Sequence, residues 1–342
     1  MHPPTNRRIV LAARPKGEPK DDDFRLEEAE VPAPADGEAL LRTLYLSLDP
    51  YMRGRMNEGP SYAPPVEVGH VMEGGTVSEV LLSKADTLAV GDIVLAYSGW
   101  QEYAVADAKG LRRLDPSAAP VSTALGVLGM PGLTAYTGLL NIGQPKAGET
   151  LVVAAAAGAV GSVVGQIGKI RGCRVVGVAG GPAKCEFVVN ELGFDACIDH
   201  RHPAFKESLK ASCPAGVDIY FENVGGAVLE SVLPLLNMFA RVPVCGLIAH
   251  YNQTMPTRGV DRVPMLMFAI LTRRLTFRGF IVTDFSAQAA DFARDMGQWL
   301  REGRVRYRED VVDGLENAVG AFQGLLRGEN FGKLLVRIAA PR

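Results

Sequence analysis

No apolar run in this chain is long enough to cross a membrane as a helix. The longest candidate, Val263 to Leu271, falls far short of the roughly 18 residues required and carries Pro264 near its start. The opening stretch, MHPPTNRRIVLAARPKG, lacks a sustained apolar core and a small-residue cleavage pattern, so it reads as mature protein and not as a signal peptide. An excess of either charge is lacking too: 36 basic against 38 acidic residues give a formal net charge of -2. That balance leaves no electrostatic footprint for nucleic acid and no polybasic membrane anchor. Cysteine is scarce. Cys173, Cys185, Cys197, Cys213 and Cys245 are odd in number and no two are three apart, which argues against a disulfide framework and a four-cysteine zinc lobe. Buried free thiols in a reducing cytoplasm fit better. No internal repeat or low-complexity tract stands out.

What is present is a globular composition. The 342 residues, 47% hydrophobic and 22% charged, are enough for about two domains and a large core without staples. The first third reads as β-rich, with apolar runs at Arg7–Ala13, Glu38–Leu48, Gly91–Tyr97 and Gln101–Ala106 set between glycines and prolines. Asp21-Asp22-Asp23 reads as a solvated loop tip, because three consecutive carboxylates cannot all face one ion from a regular element. After about Gly129 the character changes. Apolar strands at Thr150–Ala155, Cys173–Val178, Ala196–Asp199, Val217–Phe221 and Arg241–Gly246 alternate with helical patterns at Gly158–Arg171 and Lys184–Leu192. Strands apolar on both faces, alternating with helices, predict a parallel sheet covered on both sides. The tail predicts helices at Asp284–Arg301 and Val311–Leu326 and a closing strand at Phe331–Ile338.

The most informative stretch is TLVVAAAAGAVGSVVGQIGK, starting at Thr150. A strand runs into a turn with Gly158 and Gly161, and a helix follows. The glycines permit a tight turn and close backbone approach, Gly165 lets the helix lie against the strand, and the helix N-terminus offers free N–H groups to a pyrophosphate. Ala155 stands where this fingerprint has its first glycine. Placed between strand and helix in a repeating α/β unit, the pattern points to a dinucleotide. An NAD site would put an acid at the end of the second strand. Here that strand ends Val178-Ala179-Gly180-Gly181-Pro182-Ala183-Lys184, with no acid, an open turn and a cation. NADP(H) is therefore the expected cofactor.

With these residues in hand, the chain resembles the medium-chain dehydrogenases/reductases. More narrowly, it is similar to their zinc-free, NADPH-dependent alkenal/one double-bond and leukotriene/prostaglandin reductase branch, nearest to the bacterial curcumin-reductase type. The likeness rests on LYLSLDPYMRGRM (44–56), LGVLGMPGLTAYTGLL (125–140), the glycine loop, GCRVVGVAGGPAKC (172–185), ENVGG (222–226), RVPVCGLIAHYN (241–252), RGFIV (278–282) and NFGKLLVRI (330–338). It implies an α/β protein: a Rossmann doubly wound parallel sheet over 128–307, plus an N-terminal GroES-like β-barrel catalytic domain made of 1–127 and 308–342. It implies a homodimer joined through the cofactor-domain sheets near Thr276–Ile281. The bland reading of that edge is protection by Arg273, Arg274 and Arg278. Residue by residue, the resemblance makes Lys184 the 2′-phosphate lysine and Gly180 its neighbour. Gly161 belongs to the glycine loop. Asn223 and Asn330 hold the cofactor, and Met130, Ala159, Val160, Cys245, Phe280 and Val282 line the nicotinamide or its ribose. His200 departs from the tyrosine common at that position but still offers a contact to the adenine phosphate.

The wider superfamily includes zinc enzymes. Gly69-His70-Val71 half-matches their histidine motif, yet no cysteine precedes Cys173. A zinc site needs three protein ligands, and nothing fixes His70 with Glu67, Glu73 or Asp49. No metal is expected. Without a Lewis acid to polarise an alcohol, the chemistry points to reduction of an activated C=C. In that reading hydride goes to the β-carbon of an α,β-unsaturated aldehyde or ketone. Tyr251 and Tyr51, which the resemblance offers as donors, meet the developing enolate together with the ribose hydroxyl, and Tyr251 also touches the cofactor. A proton then reaches the α-carbon from water or a tyrosine. A quinone reductase of the same superfamily and an NADP-binding protein without turnover are the rival readings. Selectivity would lie in the loops Asn57–Pro65 and Ile248–Val263.

Overall fold

The computed structural model describes residues 5–59, 61–253 and 261–340. The chain divides into two compact units: 1–126 with 251–254 and 309–342, and 127–250 with 255–308. Parts of both loops named above, Pro60 and residues 254–260, lie outside the described residues.

Among the described residues the first unit holds nine strands. β1 (Thr5–Leu11) and β2 (Phe24–Glu30) form an antiparallel pair. β3 (Glu38–Ser47), β4 (Thr76–Ser83), β5 (Ile93–Ala96), β6 (Tyr103–Asp107) and β7 (Arg112–Leu114) build a mainly antiparallel sheet, with β6 paired to β3. Helix α1 (Tyr51–Arg55) follows β3. Two strands from the far end of the chain complete the sheet. They are β14 (Glu309–Asp313) and β15 (Lys333–Arg337), the latter antiparallel to β3. Trp100, fully buried, anchors the core, stacked on Phe24 at 5.8 Å and edge-on to Phe322 at 5.6 Å.

The second unit opens with helix α2 (Met130–Thr137). Its strands are β8 (Thr150–Ala154), β9 (Arg174–Ala179), β10 (Ala196–Asp199), β11 (Val217–Phe221), β12 (Leu236–Val244) and β13 (Thr276–Gly279). All pairings are parallel, in the order β10-β9-β8-β11-β12-β13. Helices α3 (Gly161–Ile170), α4 (Pro182–Asn190), α5 (Phe205–Ser212), α6 (Gly226–Val232), α7 (Val263–Arg273) and α8 (Ala289–Arg301) connect and cover them. This is the doubly wound order, whose direction reverses between β8 and β11, the place where such sheets take a dinucleotide.

Two expectations for the tail are corrected. Val311 does not open a helix. It lies in β14, paired in parallel with β15, and the helix α9 (Ala318–Leu326) starts only after Gly314, whose φ of 86° ends the strand. Pairing across a sheet outweighed local helical pattern. The run Asp284–Arg301 is not one helix either. A 3₁₀ stretch, Val282–Gln288, precedes α8 and is broken at Phe285, whose ring packs edge-on against Phe280 at 6.1 Å. Phe292, Met296 and Trp299 form the buried face of α8.

Candidate active site

The turn between β8 and α3 is built around an alanine in a glycine's conformation. Ala155 has φ 52°, and its carbonyl accepts from Gly158 N–H at 2.9 Å. A Cβ on Gly161 would stand 2.3 Å from that carbonyl oxygen, so only glycine fits where α3 begins. Ala159 and Val160, both half-buried, complete the loop. Gly165 has a different neighbour from the strand expected of it. A Cβ there would lie 1.8 Å from Phe194 Cζ, and it is Gly168 that packs on β8, against Leu151.

At the end of β9 the open turn closes on itself through Asp199. Its Oδ1 accepts from the N–H groups of Gly181 and Arg201, both at 2.9 Å. Burial alone would raise this carboxyl, but those bonds and the nearby cations hold it below the usual range. The acid is thereby committed to backbone. A Cβ on Gly180 would come 3.1 Å from both His200 Nε2 and Arg201 Nε. His200 is held below the ordinary histidine value by desolvation and by the Arg201 cation. Lys184 lies half-buried in the first turn of α4. Arg201 escaped the sequence reading because it follows β10 and nothing marks it until β10 pairs with β9.

The next strand ends bring ENVGG and Cys245 to the same edge. Asn223 Nδ2 donates to Ala154 O at 2.8 Å, tying β11 to β8. Glu222, buried, accepts from Val224 and Gly225 N–H through Oε1, and burial keeps its carboxyl above the usual range despite them. Desolvation and Glu222 push the Cys245 thiol up to about 12, so it stays protonated. Phe280 is core: its ring covers Gly138 and sits edge-on to Phe221 at 6.3 Å. What it can offer a ligand is main chain. Val282 opens the 3₁₀ stretch, and Met130, 38% exposed, opens α2.

The remaining candidates lie on the first unit. Asn330, half-buried just before β15, donates to Gly332 O at 2.9 Å. Tyr251 is half-buried after a short 3₁₀ turn, Ile248–His250. Tyr51 opens α1, and its hydroxyl shares a hydrogen bond of 2.5 Å with the hydroxyl of Tyr97. Desolvation first, and then the Asp49 carboxylate, push the Tyr51 phenol far above its ordinary range. The Arg55 guanidinium lies 5.8 Å from the Tyr51 ring and 4.6 Å from the ring of Tyr62. Beneath α1, Lys333 Nζ donates to Leu48 O at 2.7 Å and Asp49 Oδ1 at 2.9 Å, a buried ion pair. His70 is exposed, 3.6 Å from Glu67. Among the described residues no three His, Cys, Asp or Glu side chains converge as metal ligands.

Residues 7–114 match a family described as the N-terminal domain of oxidoreductase, and residues 159–301 one described as zinc-binding dehydrogenase. The chain is 56% identical over 335 residues to the NADPH-dependent curcumin reductase of Escherichia coli, covering 98% of this chain and 97% of that protein. It is 41% identical over 327 residues to prostaglandin reductase 1 of Rattus norvegicus, covering 94% and 96%. The crystal structure of CurA from Vibrio vulnificus in complex with NADPH superposes with a TM-score of 0.95 at 55% identity, covering 98% of this chain and 100% of that one.

Proposed function

The chain belongs to the medium-chain dehydrogenase/reductase family, and from that premise we propose that it is an NADPH-dependent reductase of the C=C bond of α,β-unsaturated aldehydes and ketones. One observation carries the reading: the cradle at the carboxyl ends of β8 and β9. Its left-handed Ala155 and Cβ-less Gly161 leave backbone open to a pyrophosphate. Its second strand leads into Gly180, beside which His200 and Arg201 stand, with Asp199 turned to backbone. That donor set fits a ribose 2′-phosphate.

When bound, NADPH supplies the hydride that adds to the β-carbon. The N–H groups at the start of α3 hold the pyrophosphate. Lys184, Arg201 and His200 hold the 2′-phosphate. Asn223, Asn330, Met130, Ala159, Val160, Cys245 and Val282, with the main chain of Phe280, position the nicotinamide end. Tyr251 and Tyr51 donate to the carbonyl oxygen as charge grows there, where fixed dipoles act most strongly. No metal takes part. Residues 1–127 with 308–342 form the substrate domain, and 128–307 the cofactor domain.

A second copy of the chain completes the assembly through the open edge of β13. That reading is supported by the end position of β13 in its sheet and by Met265, Met267, Phe268 and Leu271 exposed on α7. Of the three flanking arginines, Arg273 instead donates to Leu233 and Leu236 carbonyls, and Arg274 covers Phe239. Among the described residues no helix is long and apolar enough to cross a membrane. The five free cysteines support the cytoplasm as its compartment.

The test is a parallel assay of NADPH and NADH oxidation against enones, enals and quinones, with Lys184→Ala beside the native chain. Enone-dependent NADPH oxidation is expected, with the NADPH Michaelis constant raised in the variant and NADH almost untouched. Equal loss with both cofactors would assign Lys184 to the fold.

A further inference from the structure

Tyr97 is a residue that neither motif nor spacing singles out. It follows β5 and is 60% exposed, yet its hydroxyl meets that of Tyr51 at 2.5 Å. Both phenols sit on anchored backbone. Three residues after Tyr97, the fully buried Trp100 donates its N–H to Met72 O at 2.8 Å, and Gly99 N–H reaches Gly74 O at 3.0 Å. Two residues before Tyr51, Asp49 is held by Lys333. The contact is therefore a fixed one and not an encounter of two loose side chains.

One shared hydrogen bond between two hydroxyls leaves one proton over. When Tyr97 donates to Tyr51, the Tyr51 proton is free to point away from the pair. The charged groups facing the pair are Asp49, Glu73 and Arg55. Each carboxylate has a cation of its own: Lys333 on Asp49, and Arg55 on Glu73 at 3.4 Å. Arg55 faces Glu73 through Nε and keeps Nη1 buried without a hydrogen bond. It is thus a cation beside the Tyr51 ring, its charge also felt at the Tyr97 hydroxyl, with hydrogen-bonding capacity unused at Nη1, which favours transient negative charge on a phenol. Desolvation at the hydroxyls raises both phenols and keeps them protonated until a stronger base arrives, although the Tyr97 ring itself is exposed.

We infer that Tyr97 relays a solvent proton to Tyr51, which delivers its own to the α-carbon of the reduced substrate. The inference rests on the reading above that Tyr51 faces the substrate. Hydride addition at the β-carbon leaves an enolate. Tyr251 keeps the enolate oxygen while the Tyr51 O–H, until then also directed at that oxygen, turns to the α-carbon and breaks as the C–H bond forms there. The Tyr97 O–H breaks as the Tyr51 O–H is restored, and water at the exposed ring of Tyr97 returns the last proton. Two electrons come from the nicotinamide and one net proton from solvent. Tyr51 is the catalytic residue of the pair, and Tyr97 acts through it as a positioning and relay residue.

The experiment compares Tyr97→Phe, Tyr51→Phe and the double variant with the native chain, in water and in heavy water, using NADPH with and without deuterium on the transferred position. Because the Tyr97 ring is exposed, phenylalanine leaves the fold intact, and melting temperature and NADPH binding by fluorescence should stay native. Tyr97→Phe is expected to lower kcat about tenfold, within the reach of a single general-acid contribution. It should also enlarge the solvent isotope effect and shrink that of the transferred deuterium, as protonation becomes slower than hydride transfer. Adding it to Tyr51→Phe should cost nothing more. Tyr97→Leu, which also removes the ring, should match Tyr97→Phe. In heavy water the native chain should place deuterium on one face of the α-carbon, and Tyr51→Phe should lose that preference. Native kcat and isotope effects in Tyr97→Phe, or equal losses from it in both backgrounds, would overturn the relay while leaving the reductase reading intact. A native chain that binds NADPH but reduces no enone would overturn both.

Discussion

The carbonyl oxygen of Ala155 occupies the space that a side chain on Gly161 would need: a Cβ there would sit 2.3 Å away. That oxygen cannot withdraw, because it accepts from Gly158 N–H and directly follows a buried central strand. Gly161→Ala must therefore push the start of α3 off the β8 turn and misalign the N–H groups that meet a pyrophosphate. NADPH affinity measured by calorimetry should fall at least about tenfold, by roughly 1.4 kcal/mol or more. Unchanged affinity would mean that the phosphate lies elsewhere.

Ala155 itself is the complementary case. A non-glycine residue at φ 52° carries a steric cost of about 1–2 kcal/mol. Glycine removes it but adds about 0.5–1 kcal/mol of unfolded-state entropy. Ala155→Gly should thus leave stability unchanged or raise it by up to about 1.5 kcal/mol in urea denaturation, with NADPH affinity retained. A loss above that range would show that the alanine methyl packs against something essential.

His200 gives the cofactor site a pH dependence whose sign follows from its surroundings. Desolvation and Arg201 hold its pKa below the ordinary value of about 6.5, so the ring is neutral at pH 7. A bound 2′-phosphate stabilises the protonated ring. Binding then takes up a proton as pH falls to and below about 6.5, and NADPH affinity should rise there while NADH affinity does not. In His200→Ala the rise should disappear. Titration calorimetry in two buffers of different ionisation heat reads the proton directly.

Tyr251→Phe keeps a ring and removes only a donor. Loss of one oxyanion donor costs about 10²–10³ in kcat, or roughly 2.7–4 kcal/mol. With a ribose hydroxyl remaining, the lower end or less is expected, at nearly native cofactor affinity. Full kcat in Tyr251→Phe alongside an inactive Tyr51→Phe would make Tyr51 the carbonyl's partner.

Lys333→Met should be among the most damaging single changes in the first unit. Lys333 and Asp49 are 4% and 6% exposed, and the methionine would leave a carboxylate buried without its cation. Breaking such a pair costs about 3–5 kcal/mol, whereas replacing both partners with apolar residues costs far less. Lys333→Met/Asp49→Leu should therefore be more stable than Lys333→Met alone by chemical denaturation.

The cofactor half was readable because its chemistry is local in sequence. The turn from Ala155 to Gly161 and the Gly180-Gly181 pair announce themselves within a few residues of strands whose apolar runs are unbroken. The first unit hides more. Strand β4, TVSEVLLS, mixes Ser78 and Glu79 into a buried run, and Glu79 is admitted only because Arg42 from β3 meets it at 2.8 Å. Arg201, Arg55 and Tyr97 were invisible for the same reason: each acquires meaning from a partner brought by tertiary pairing. Val311 looks helical in the sequence because its strand partner, Leu335, lies beyond the next helix.

The position of β15 has a consequence for how the chain is made. It lies between β14 and β3, and it carries Lys333 for Asp49 as well as Leu334 and Val336 for the core around Trp100. During synthesis from the N-terminus, β3 waits with one edge incomplete and Asp49 without its cation until β15 has emerged. The second unit, largely continuous from 127 to 308, has all its strands before then. The older half of the polypeptide is thus the last to close, and through that interval its open strand edge is the part that a chaperone must shield or a neighbouring nascent chain can capture.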